Sequence, residues 1–133
     1  MAFLFVYGTL MRAYGDKKVH APLSLYAEYV GLAICHGRLY EIDGYPGLVI
    51  SDEAEVCGEL YQVHHSKQLF EILDEYEGYD KANSESSEYI RQIVPVCLKE
   101  DGREVSAWIY VYNWRVEERK RIYSGDYTKK GSI

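Results

Sequence analysis

Residues 89–112 read "YIRQIVPVCLKEDGREVSAWIYVY", and this stretch decides the fold class. Two runs rich in β-branched and aromatic residues, "YIRQIVPVCL" and "EVSAWIYVY", flank "KEDGR". An Asp-Gly pair between such runs is a strong hairpin signal, because glycine adopts the positive φ that a tight turn requires. The stretch therefore predicts two antiparallel strands. Pro95 has no N–H to donate, which assigns its strand to an edge or a bulge.

Working outward, the same grammar recurs. "LAICHGRLYEI" and "AEVCGELYQV" alternate as strands, with a turn at "DGYPG", Asp43 to Gly47. "AFLFVY", from Ala2, is apolar at nearly every position, the pattern of a strand covered on both faces. Residues 11–22 read as a loop, and "LSLYAEYVG" reads as a short helix closing at Gly31. Ser66 is the expected N-cap of "KQLFEILDEYE", the best helix in the chain, with Gly78 just past its end. A last short helix is expected over Val116 to Tyr123. About six strands and a few short helices predict an α+β fold built on a small, mostly antiparallel curved sheet or barrel. At 133 residues, positions 1–133 are read as a single domain, large enough for a core without staples.

Composition narrows the function classes. The net charge is −6 with no basic stripe, which argues against nucleic acid. No apolar run is long enough to span a membrane, and the apolar start lacks the basic leader of a signal peptide. Cys35, Cys57 and Cys97 are odd in number and widely spaced, the pattern of reduced thiols in a cytoplasmic protein. Cys35 and His36 are adjacent on a strand and point to opposite faces, so they cannot easily form a thiol–imidazole pair. His64, His65 and Cys57 fit no common metal spacing, and no metal requirement is expected. Fourteen tyrosines offer apolar bulk plus a hydroxyl that seeks a partner, which suits a hydroxyl-lined cavity as well as a dry core.

One residue breaks the helix pattern. At about 100° per residue, Leu69, Ile72, Leu73 and Tyr76 share one arc, with Phe70 at its edge, and Glu71, Asp74 and Glu75 oppose them. Glu77 falls between Leu73 and Phe70, on the apolar flank. It also lies in the last turn, where the helix dipole disfavours negative charge. A carboxylate held there has a raised pKa, and Asp74 one turn back is expected to push the same way. Such a group suits proton transfer near neutrality. The other acids of residues 71–88 read as a solvated face. "FVYGTL", residues 5–10, ends a strand in a tight turn. Its successive N–H groups form a candidate nest for anionic oxygen, with Gly8 allowing close approach and Thr9 adding a hydroxyl.

These pieces, taken in order, resemble the gamma-glutamylcyclotransferase superfamily, in its gamma-glutamylamine cyclotransferase-like branch. "FVYGTL" is similar to the family's YG[ST]L loop. "GRLYEIDGYPGLVI" and "VCGELYQV" are similar to its central strands. "LDEYEG" matches the helix end that bears its catalytic glutamate, "YIRQ" its Tyr-x-Arg, and "WIYVYN" and "SGDY" its closing strand and tail. The resemblance implies that Glu77 is the general acid/base. It implies that Tyr7, Gly8, Thr9 and Leu10 form the substrate-binding loop, and that Tyr89 and Tyr112 lie near the pocket. It implies a cofactor-independent cyclisation of a γ-glutamyl group to 5-oxoproline with loss of the attached amine. The substrate would be a small γ-glutamyl compound. The Asp80–Glu88 stretch reads as an insertion beside the pocket, on the side of the leaving group. The alternative from another class is a binding module that keeps the fold and pocket without turnover.

Overall fold

The computed structural model describes residues 2–8, Met11 and 17–129. Its strands are β1 (Ala2–Val6), β2 (Ala27–Glu41), β3 (Pro46–Val63), β4 (Tyr89–Leu98), β5 (Glu104–Tyr112) and β6 (Lys120–Arg121). Its α-helices are α1 (Lys17–Tyr26) and α2 (Ser66–Glu77), and a 3-10 turn spans Lys81–Ser86. The sheet order is β3-β1-β5-β4-β2-β6, and β2 also pairs with β3. That second pairing closes five strands into a barrel and leaves β6 as an appendage on β2. The fold is thus the expected α+β class. One pairing is parallel: β1 lies beside β5, with Leu4 opposite Trp108.

The Asp101-Gly102 hairpin forms as read. Gly102 takes φ 74°, its N–H donates to the Leu98 carbonyl at 2.9 Å, and β4 and β5 pair from Tyr89↔Tyr112 to Cys97↔Glu104. On its other side β4 meets β2 only over Val96–Leu98. Pro95 stands just outside that run, so its missing donor costs no pairing with β2. Leu4, Phe5, Val6, Leu39, Leu48, Leu60 and Ile109 fill the core, joined by Leu69, Phe70 and Leu73 from α2.

Four local readings are corrected. The segment read as a helix over 23–31 is split: Leu23–Tyr26 ends α1, and Ala27 begins β2. Long-range pairing overrides the helical pattern there, since Ala27, Glu28 and Tyr29 lie opposite Val63, Gln62 and Tyr61. Part of the expected 11–22 loop is likewise helical, and α1 contains Pro22. Ser66 is the first helical residue of α2 rather than its cap. His65 occupies that position with φ −126° and no side-chain capping bond. Residues 116–119 form a turn, with the Arg119 N–H on the Val116 carbonyl at 2.9 Å, followed by β6 opposite Tyr40 and Glu41. "VEERKRIY" has too narrow an apolar face to bury as a helix, whereas pairing with β2 buries Ile122. Gly78 does close α2 in the left-handed conformation, and the Tyr79 N–H reaches the Asp74 carbonyl at 2.8 Å. Among the described residues no helix is long and apolar enough to cross a membrane.

Candidate active site

The end of β1 and the end of α2 meet at one cavity of about 420 Å³. Tyr7 and Gly8 form one wall, Tyr76 and Glu77 another, Gly44, Tyr45 and Pro46 a third, and Glu88, Tyr89 and Tyr110 the rest. The cavity thus takes five of the fourteen tyrosines. The tyrosine-rich composition serves this wall as well as the core.

Glu77 arrives there because of helix periodicity. The residues of α2 that are buried are Leu69, Phe70 and Leu73. Ile72 and Tyr76 remain 37% and 40% exposed. The buried arc is therefore narrower than expected and shifted toward Phe70, and Glu77, four residues on from Leu73, falls inside it. Its carboxyl is half-buried at the cavity wall but packed around by protein. Burial and the facing carboxylate of Glu88 push it up from 4.5 to about 8. Asp74 is not the second cause. Its carboxylate is held by Arg91 in a two-pronged pair, Nε–Oδ1 at 2.8 Å and Nη2–Oδ2 at 3.1 Å, and by the Tyr110 hydroxyl at 2.7 Å. Arg91 in turn stacks over Phe70 and Trp108, with its guanidinium carbon 4.2 Å and 4.6 Å from the ring centroids. This cluster ties the last turn of α2 to β4 and β5, and so fixes where Glu77 stands.

The wall tyrosines are anchored donors. Tyr7 donates to the Tyr110 carbonyl at 2.6 Å and accepts the Leu48 N–H at 3.2 Å, joining three strands. Tyr89 donates to the Pro46 carbonyl at 2.5 Å. Tyr45 donates to Glu88. Burial raises Tyr7, Tyr45, Tyr89 and Tyr110 above the ordinary phenol value, so all four are neutral near pH 7.

Gly8 has a steric reason to be glycine besides the expected approach of a ligand. Its φ is not positive. A Cβ there would stand 2.3 Å from Pro46 Cγ, so the crowding partner is protein. The Met11 N–H donates to the Gly8 carbonyl at 2.9 Å, which closes the turn after β1. Thr9 and Leu10 lie outside the described residues. Tyr112 is not on the wall. It pairs with Tyr89 across β4 and β5, with ring centroids 5.3 Å apart, and fills the space over Gly47, where a Cβ would be 2.7 Å from its ring. It supports Tyr89 from behind.

Sequence reasoning missed Tyr45, Glu88 and Tyr110. Glu88 was hidden among acids read as a solvated face. Tyr45 was legible as part of a turn but not as a wall. Cys35, Cys57 and Cys97 are free. Burial pushes the Cys35 thiol up to about 12, which suits a packed thiol and not a nucleophile. Among the described residues no group of three or more His, Cys, Asp or Glu gathers as a metal cage.

The family described as "Gamma-glutamyl cyclotransferase, AIG2-like" matches residues 4–129. The gamma-glutamylcyclotransferase family protein YtfP of Escherichia coli is 30% identical over 124 residues, covering 93% of this chain and 94% of the relative. The gamma-glutamylaminecyclotransferase of Rattus norvegicus is 29% identical over 123 residues, covering 83% and 77%. The crystal structure of an AIG2-like protein from Mus musculus superposes with a TM-score of 0.67 at 27% identity, covering 88% of this chain and 81% of that one.

Proposed function

The chain belongs to the gamma-glutamyl cyclotransferase, AIG2-like family, and from that premise we propose that it cyclises a γ-glutamyl group to 5-oxoproline and releases the attached amine. Residues 1–133 are read as one domain of this kind. The observation that carries the reading is Glu77: a carboxyl with a raised pKa, at the wall of a hydroxyl-rich cavity, beside the strand end at Tyr7 and Gly8.

The chemistry needs few parts. Folding the glutamyl arm back on itself brings its α-amine onto its own γ-carbonyl carbon, and this proximity replaces a bimolecular encounter. Ionised Glu77 takes a proton from the α-ammonium. The amine nitrogen then forms a bond to the γ-carbon, and negative charge develops on the carbonyl oxygen. Donors of the loop Tyr7–Leu10 hold that charge in this reading. When the carbonyl re-forms, the original amide C–N bond breaks, and protonated Glu77 returns its proton to the departing nitrogen. The attacking nitrogen sheds two protons on its way from ammonium to lactam N–H. Glu77 carries the first to the departing nitrogen, and the second is taken up by the released amine, which leaves as an ammonium ion, so the substrate's own protons close the balance. A carboxyl that titrates near neutrality is suited to both halves of this exchange. The wall tyrosines keep their protons and shape the cavity around the folded arm.

The test is direct. Purified protein is incubated with a panel of γ-glutamyl amides, and 5-oxoproline and free amine are quantified. Stoichiometric release of both supports the reading. A protein that binds these amides without turning any of them over is the binding module instead.

A further inference from the structure

Residues 79–88 bring a second carboxylate to the cavity on a built loop. Asp80 caps the 3-10 turn by accepting the Ala82 N–H at 3.0 Å, and accepts the Asn83 amide at 2.9 Å. The Asp80 N–H donates to the Ser87 hydroxyl at 3.0 Å. From the end of β5, the Asn113 side-chain amide donates to the carbonyls of Ser84 at 3.2 Å and Ser87 at 3.0 Å. The Asn113 N–H donates to the carbonyl of Glu88 itself at 2.7 Å. The loop is thus pinned to the barrel on both sides of its turn, and Glu88 is its one residue on the cavity wall.

The charge balance of that wall is uneven. Glu77 and Glu88 both line it, and no lysine, arginine or histidine does so among the described residues. Among the described residues Glu88 accepts from a neutral side-chain donor, the Tyr45 hydroxyl, which fixes its orientation without neutralising it. A carboxylate has about four acceptor positions, so most of its capacity stays open to a ligand. The α-ammonium of a γ-glutamyl group is assigned to Glu77 by the reaction proposed above, on which the present inference rests. Glu88 lines the same cavity from another element, close enough to raise Glu77, and the reaction gives it no role.

We propose that Glu88 is a specificity residue that receives a second ammonium carried by the leaving amine, so that γ-glutamyl amides of diamines or longer polyamines are preferred over those of neutral amines. A charge-assisted hydrogen bond in a partly desolvated site favours the cationic substrate about ten- to a hundredfold. A neutral alkyl chain in the same place strips water from Glu88 and offers nothing in return.

The experiment compares kcat/KM for two substrates of matched length. One is the γ-glutamyl amide of 1,4-diaminobutane, with a free ammonium. The other is the γ-glutamyl amide of n-pentylamine, with a methyl in its place. The wild-type protein should prefer the first by about ten- to a hundredfold. In Glu88→Gln that ratio should fall toward one, and in Glu88→Lys it should invert. The preference should also shrink as salt is raised. Equal kcat/KM in the wild type, or a preference that survives in Glu88→Gln, overturns the role of Glu88 while 5-oxoproline formation itself stands. Absence of 5-oxoproline from both substrates overturns the reaction, and this inference with it.

Discussion

Replacing Glu77 by Gln keeps the side-chain outline and removes one exchangeable proton. In an unfolded chain a glutamate titrates near 4.5, and in the folded protein this one titrates near 8. The folded pKa is the raised one. Stability linked to Glu77 is therefore complete below pH 4.5 and is lost as pH rises toward 8. Each pH unit in that window is worth about 1.4 kcal/mol, which sets a ceiling of about 5 kcal/mol. The cavity is open to water, so about 2 kcal/mol is the expected loss. Thermal melts of wild type and Glu77→Gln should coincide near pH 4.5 and separate by pH 8.5, with the variant more stable. Turnover should move the other way. Gln cannot shuttle a proton, so 5-oxoproline formation should fall by about 10² to 10⁴-fold, with substrate binding retained. Glu75→Gln, on the exposed face of the same helix, should change neither. Wild-type turnover in Glu77→Gln refutes the mechanism. Melting curves that stay parallel from pH 4.5 to 8.5 refute the desolvated carboxyl.

Three further outcomes follow from the geometry. The carboxyl carbon of Glu77, followed by NMR, should titrate near 8 in the wild type and at a lower pH in Glu88→Gln, because the Glu88 charge is the second cause of the shift; an unchanged midpoint would separate the two groups. Gly8→Ala should destabilise the protein by about 1–3 kcal/mol in urea melts, since its Cβ collides with the Pro46 ring; a neutral effect would mean the turn after β1 is free to move. Asp74→Asn leaves the Arg91 guanidinium half-buried without its counter-charge and should cost about 1–3 kcal/mol by denaturant unfolding, less than a fully buried pair would; a neutral result would show that the stacking on Phe70 and Trp108 holds Arg91 alone.

Local rules made part of this molecule legible. The hairpin at Asp101-Gly102 and the end of α2 at Gly78 are set by residues within a few positions, and both could be read directly. So could the anomaly at Glu77, because the position of a side chain around a helix depends only on spacing. The site's other half depends on register. Tyr45 and Glu88 stand 43 positions apart and share a hydrogen bond, and no periodicity in either segment announces the other. Tyr110 alternates along β5 like any core residue, and only the closure of the barrel turns its hydroxyl toward Asp74. The start of β2 at Ala27 was hidden for the same reason: its helical pattern yields to pairing with Val63. Strand β1 was legible as a covered strand, but its apolar sequence could not say that one of its neighbours would be parallel.

That parallel neighbour has a kinetic consequence. β1 carries the turn at Tyr7 and Gly8, and it is wedged between β3, some 55 residues downstream, and β5, about 100 residues downstream. Such distant pairings are entropically late, because long loops must close before any contact repays them. The β4–β5 and β2–β3 hairpins can form from local chain, whereas β1 must be captured by a nearly finished sheet. The cavity therefore comes into being only at the last closure, and a partly folded chain has no rudimentary version of it. Amides of Leu4 to Val6 should accordingly exchange with solvent faster than those of the β4–β5 hairpin, because the strand docked last is released first; exchange there as slow as in the hairpin would show that β1 is captured early.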